Sequence, residues 1–241
     1  MAKQGLVNRV NWYQAIAEVA LIAVGVLIAL AVDSWWEDRT MRAAELEYLH
    51  SLHADFEANR LELIQQVQEE EQLIALGKQF HKHISSGFSD VTPSELNELV
   101  GKFYMFYSWT PITGTYDDMV GSGRLLYLQN ATLRSKLSQY GHLLDSVDEY
   151  ERAEFSDWYL EQSPFLRQYL NVSSFGWIEN YRPDFSFEPD LEALQSQEFH
   201  NLVSTWMVSH QDVIGNYKGA IESGDEFISL IETEIDLTSP E

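Results

Sequence analysis

The sequence predicts an all-α protein, in which an N-terminal transmembrane helix continues into an antiparallel helical bundle. Three observations lead to this. Fourteen uninterrupted apolar or small residues run from Val19 to Val32. Beyond them, long stretches repeat apolar residues at spacings of three, four and seven, the period of an amphipathic helix. Helix-start and helix-stop signals then punctuate those stretches.

Composition bounds the possibilities. The chain has 241 residues, enough for one domain and an accessory segment. Apolar residues make up 45% and charged residues 22%, the balance of a globular chain. Thirty-eight acidic against fifteen basic residues leave a formal charge of −23, which repels phosphate backbones and argues against nucleic-acid binding. The absence of cysteine removes disulfides, thiolate zinc sites and cysteine nucleophiles.

The first element is the apolar run, extended backward by Ala15, Ile16 and Ala17. Aromatic pairs flank it, Trp12-Tyr13 before and Trp35-Trp36 after, with twenty-one residues between them. At about 1.5 Å per residue that interval covers roughly 31 Å, close to a bilayer core of about 30 Å. Trp and Tyr at both ends suit the two headgroup interfaces. A buried core helix is one alternative. A cleaved signal peptide is another, with Lys3 and Arg9 as its charged region and Ala29-Leu30-Ala31 as its cleavage pattern. The length such a leader needs, and Glu18 beside the run, favour an uncleaved anchor. The expected organisation is a short cytoplasmic tail over 1–13, a transmembrane helix over 14–34 and an acidic helical-bundle domain over 35–241.

Lys3 and Arg9 on one side nearly balance Arg39 and Arg42 on the other. The short tail and the charge of −24 on residues 33–241 (thirteen basic, thirty-seven acidic) place the tail in the cytoplasm and the domain outside it.

From Asp33 to about Ser85 there is no proline, and no glycine until Gly77. Leu46, Leu49, Phe56, Leu63, Val67 and Ile74 mark an amphipathic helix continuous with the span. Ser85-Ser86-Gly87 ends it. Thr92-Pro93-Ser94-Glu95 combines an N-cap, a proline at the first helical position and a capping-box glutamate. An apolar face through Leu96, Val100, Phe103 and Phe106 then carries the second helix toward Pro111. A third helix is expected from Ala131 to about Gln162, with Pro164 after its end, and a last one from Gln197 to Ile235. Residues 171–190, rich in aromatics, read as an irregular loop or a short hairpin.

Chemistry-bearing patterns are few. Glu18, Ile22, Gly25 and Ala29 share one face of the span, and Gly25 with Ala29 forms a small-xxx-small pair that lets another helix approach closely. Thr115 to Gly123 superficially suggests a phosphate loop, but lacks its lysine and reads as a short helix. Glu47-x-x-His50, with His53 nearby, is half of a carboxylate-bridged di-metal motif without a second copy. His81-Lys82-His83 reads as solvent-exposed. No nucleophile elbow occurs, so neither catalytic residues, metal ligands nor a cofactor are assigned.

Glu18 opening an apolar span that contains Gly25, the exit Asp33-Ser34-Trp35-Trp36-Glu37, and Thr115-Tyr116-Asp117 to Ser122-Gly123 resemble an uncharacterised bacterial family of single-pass membrane proteins with a domain of unknown function. The resemblance implies a membrane-anchored helical protein and supplies no reaction. The resulting expectation is a non-enzymatic assembly or accessory subunit at the bacterial inner membrane, with its domain in the periplasm. Its partners would be the lipid bilayer and either further copies of itself or another membrane subunit. The alternative is a periplasmic ligand-binding or sensory module.

Overall fold

The computed structural model describes residues 12–177 and 187–238. It is all-α. The tail expected over 1–13 lies mostly outside the described residues, as does the centre of the 171–190 segment.

Helix α1, Trp12–Ser86, is unbroken for 75 residues. It contains no proline, and at about 1.5 Å per residue it is roughly 112 Å long. The chain reverses at Gly87 and Phe88, both left-handed at φ 65° and 58°. Their N–H groups donate to the Ile84 and His83 carbonyls, satisfying the helix end. The strain of a left-handed phenylalanine is offset by burial of its ring in the core.

Helix α2, Pro93–Phe103, starts where the sequence signals it. The Glu95 N–H donates to Thr92 Oγ1, and the Thr92 N–H donates to Glu95 Oε2. It stops earlier than the apolar pattern suggests, well before Pro111. Reach explains this. Phe103 packs on Phe80 of α1, whereas Ile112 is hydrogen-bonded to Asn59. Those α1 positions are about 32 Å apart along the helix. Nine residues cover that distance only when nearly extended, at about 3.3–3.6 Å each.

Helix α3, Gly114–Gly121, begins one residue before the expected Thr115, and Gly123 then turns left-handed at φ 73°. Helix α4, Ala131–Asp157, is capped by Asn130, whose side chain accepts from the Leu133 N–H at 3.0 Å. The third helix was expected to end before Pro164. Instead a π-turn over Trp158–Gln162 widens the helix and leads directly into α5, Ser163–Tyr169. Pro164 is tolerated because it falls in the first turn of α5. A 3₁₀ turn at Val172–Ser174 follows. Helices α6, Leu191–Leu194, and α7, Gln197–Thr238, complete the chain.

Cross-helix pairs set the topology. His53, Arg60, Glu71 and His81 of α1 meet Glu232, Asp225, Lys218 and Ser204 of α7, so the two run antiparallel. Asn130, Lys136 and Glu154 of α4 meet Glu234, Glu226 and His210 of α7, so α4 also opposes α7. The chain therefore runs up, down, up and down, but only half of its second leg is helical. Three apolar clusters stack along the bundle. One near the exposed apolar stretch of α1 centres on Phe56 and Phe227, one in the middle on Val67 and Tyr217, and a distal one on Trp206 and Phe80.

Candidate functional site

Between the middle and distal clusters, three ionisable side chains meet in the interior. Glu70 comes from α1, Glu154 from α4 and His210 from α7, and all are sealed from solvent at 0–2% exposure. Their positions follow from helical register. Glu70 sits three residues after Val67 and Glu154 seven after Val147, and each of those valines is buried. His210 follows Trp206 by one turn and packs edge-on against its indole, with ring centroids 4.8 Å apart.

His210 Nδ1 lies 2.5 Å from Glu70 Oε2 and 2.7 Å from Glu154 Oε1. A ring nitrogen carries at most one proton, and here it is shared with Glu70. Glu154 Oε1 accepts no hydrogen bond, nor does Glu70 Oε1, and the far nitrogen of the ring, Nε2, has no partner. Burial pushes the His210 pKa down, but the two carboxylates close to Nδ1, Glu154 and Glu70, outweigh it and hold it at about 9. Burial raises Glu154, opposed by the same ring.

One turn before Glu154, Glu151 is half-buried, and its Oε1 accepts the Trp109 N–H at 2.9 Å and the Tyr217 hydroxyl at 2.6 Å. Burial raises its pKa as well. Among the described residues, neither Glu70 nor Glu154 pairs with lysine or arginine. The one cationic group among the described residues that is paired with the two carboxylates is the His210 ring.

The residues singled out in the sequence lie elsewhere. Trp12, Tyr13, Trp35 and Trp36 are exposed on α1, and the Arg39 guanidinium lies 5.7 Å from the Trp35 ring centroid. Glu18, Ile22, Gly25 and Ala29 project from the exposed apolar stretch, with nothing within 4 Å of where a Gly25 Cβ would be. Glu47 and His50 face solvent, and His53 pairs with Glu232 at 3.3 Å, so the three do not converge. His81 departs from the reading as solvent-exposed, being half-buried and stacked on His200 with ring centroids 4.4 Å apart. Sequence reasoning singles out none of Glu70, Glu154 and His210. The available signal was an ionisable residue at a core position on each of three long helices.

A profile of a family of unknown function, DUF6090, matches residues 18–151. That match covers the exposed apolar stretch, Glu70 and most of α4, and stops before Glu154 and His210. No curated protein and no solved structure matches the chain.

Proposed function

The chain belongs to the DUF6090 family of unknown function, and from that premise we propose that it is a membrane-anchored, non-enzymatic assembly or accessory subunit. One observation carries this reading. Helix α1 is long and apolar enough to cross a membrane, and none of its most apolar window is buried against the rest of the chain. Val19, Leu21, Leu27 and Trp36 are 66%, 74%, 65% and 66% exposed. So large a contiguous apolar surface is costly in water and favourable in a bilayer.

The same helix then becomes the spine of the bundle without a proline between. Residues 37–86 would carry the domain about 75 Å outward from the interface. The bilayer is read as the bacterial inner membrane, with the N-terminus cytoplasmic and the acidic domain periplasmic. Within it, the Glu18, Ile22, Gly25 and Ala29 face is the surface for a second copy or another membrane subunit.

A second reading has its own support. A cleft of about 780 Å³ lies between α2 and the 173–177 segment, lined by Asn97, Lys102, Phe175 and Trp177. It suits a ligand-binding or sensory module. Native purification of the full chain in mild detergent, followed by mass spectrometry, tests the choice. A stoichiometric membrane subunit or a defined homo-oligomer is expected; a monodisperse monomer from every mild detergent contradicts the assembly role.

A further inference from the structure

We propose that Glu70, Glu154 and His210 form a binding site for one divalent first-row transition cation, held by His210 Nδ1 and one oxygen of each carboxylate. The inference does not depend on the membrane reading.

The geometry of the ring nitrogen is the starting point. Two carboxylate oxygens converge on Nδ1 at 2.5 and 2.7 Å, yet that nitrogen has one proton to offer. A cation in the proton's place binds all three atoms at once. The three candidate donor atoms lie within 4.8 Å of one another. Around zinc, with bonds of about 2.0–2.2 Å, tetrahedral donors stand roughly 3.3 Å apart. Opening the two nitrogen–oxygen distances to that spacing takes less than about 1 Å, within reach of small glutamate side-chain rotations.

The unpartnered atoms point independently to a ligand. Glu154 Oε1 is directed at the ring without a hydrogen bond, and Glu70 Oε1 is buried without one. Buried carboxylate oxygens incur a desolvation cost, which the single His210 ring alone offsets here. Charge points the same way. Two carboxylates share one imidazole, with Glu151 on the next turn of α4, and no lysine or arginine among the described residues pairs with them. A dication neutralises what a single proton does not.

One imidazole and two carboxylates suit Zn²⁺, Mn²⁺ or Fe²⁺. Donors from three separate legs make the cation a staple joining α1, α4 and α7. The sealing of the site fits a structural role rather than a reactive one. It also means that the cation enters as the bundle forms or opens.

The test uses the full chain in detergent, produced with added Zn²⁺ or Mn²⁺ in separate preparations and gel-filtered without chelator. Elemental analysis should find one ion per chain in at least one preparation. Its removal by chelator should lower Tm, and re-addition should restore it. Glu70→Gln and Glu154→Gln should each weaken retention by about tenfold or more, while His50→Ala should leave it unchanged. Should the variants fail to fold, X-ray absorption of the zinc-loaded wild-type protein decides. A shell with one imidazole and otherwise oxygen supports the site. A shell with two imidazoles places the ion at the His81–His200 stack and overturns the proposal. It is equally overturned if neither ion is retained, or if retention is indifferent to both glutamine variants. In those cases the cluster is a proton-sharing pair only.

Discussion

Asn59 of α1 holds Ile112 with both ends of its amide. Its Oδ1 accepts the Ile112 N–H at 2.7 Å, and its Nδ2 donates to the Ile112 carbonyl at 2.8 Å. Asn59 is itself buried, at 3% exposure. The contact substitutes for the backbone ladder that the extended 105–113 segment lacks, and it fixes where that segment meets α1 before α3 begins.

Replacing Asn59 by alanine should therefore cost about 2–3 kcal/mol, the loss of two hydrogen bonds plus the exposure of Ile112 backbone groups to an apolar neighbour. Urea denaturation of the 40–241 fragment measures it. A change below about 0.5 kcal/mol would show that the second leg is held by its side chains instead.

Gly101 is a point of close approach. A Cβ there would collide with the Phe175 carbonyl, and the Trp177 indole N–H donates to the Gly101 carbonyl at 2.7 Å. Gly101→Ala should push the 171–177 segment off α2 and cost about 1–3 kcal/mol through overpacking. Increased proteolytic cleavage near Trp177, with α-helical circular dichroism retained, is the expected signature.

The stacked rings of His81 and His200 give a pH dependence with a definite sign. Burial, and then the neighbouring His200, lowers the His81 pKa below its ordinary value. The unfolded chain therefore takes up a proton before the folded one does. The contribution is fully present above about pH 6.5 and is lost as pH falls through the lower folded value. Thermal unfolding between pH 7.5 and 5 should show a decline that His81→Gln reduces. An identical slope in that variant would remove His81 as the cause.

Much of this architecture was legible from apolar spacing. The rhythm of three and four located α1, α4 and α7 because each buries one continuous stripe along its length. The second leg was not, because Phe106 continues the pattern while the distance from Phe80 to Asn59 forbids a helix. The π-turn was likewise invisible, since Pro164 reads as a terminator unless the preceding turn is known to widen. The buried cluster left a fainter trace. Glu70, Glu154 and His210 each occupy a core position, but within one helix such a residue is indistinguishable from a solvated one. Only the mutual register of three helices brings them together.

Residues 40–241 should fold without the exposed part of α1, since the side chains of the apolar window touch nothing in the bundle. The fragment should be soluble, strongly helical and cooperative in its unfolding. Aggregation, or loss of helix beyond what the removed residues supply, would mean that the span supports the bundle.

The proposed assembly role requires the apolar stretch of α1 to bring this chain together with another through one helix face. Apolarity alone drives little association in lipid, so close backbone contact at Gly25 and Ala29 and hydrogen bonding by Glu18 must supply it. The direct measurement is cross-linking and native mass spectrometry of full-length variants in lipid nanodiscs. Gly25→Leu should abolish the complex by bulk, and Glu18→Gln should weaken it less, because an amide still hydrogen-bonds. Leu27→Ala, about 180° around the helix from Glu18, should leave it intact. An intact complex in Gly25→Leu together with a disrupted one in Leu27→Ala would contradict the account.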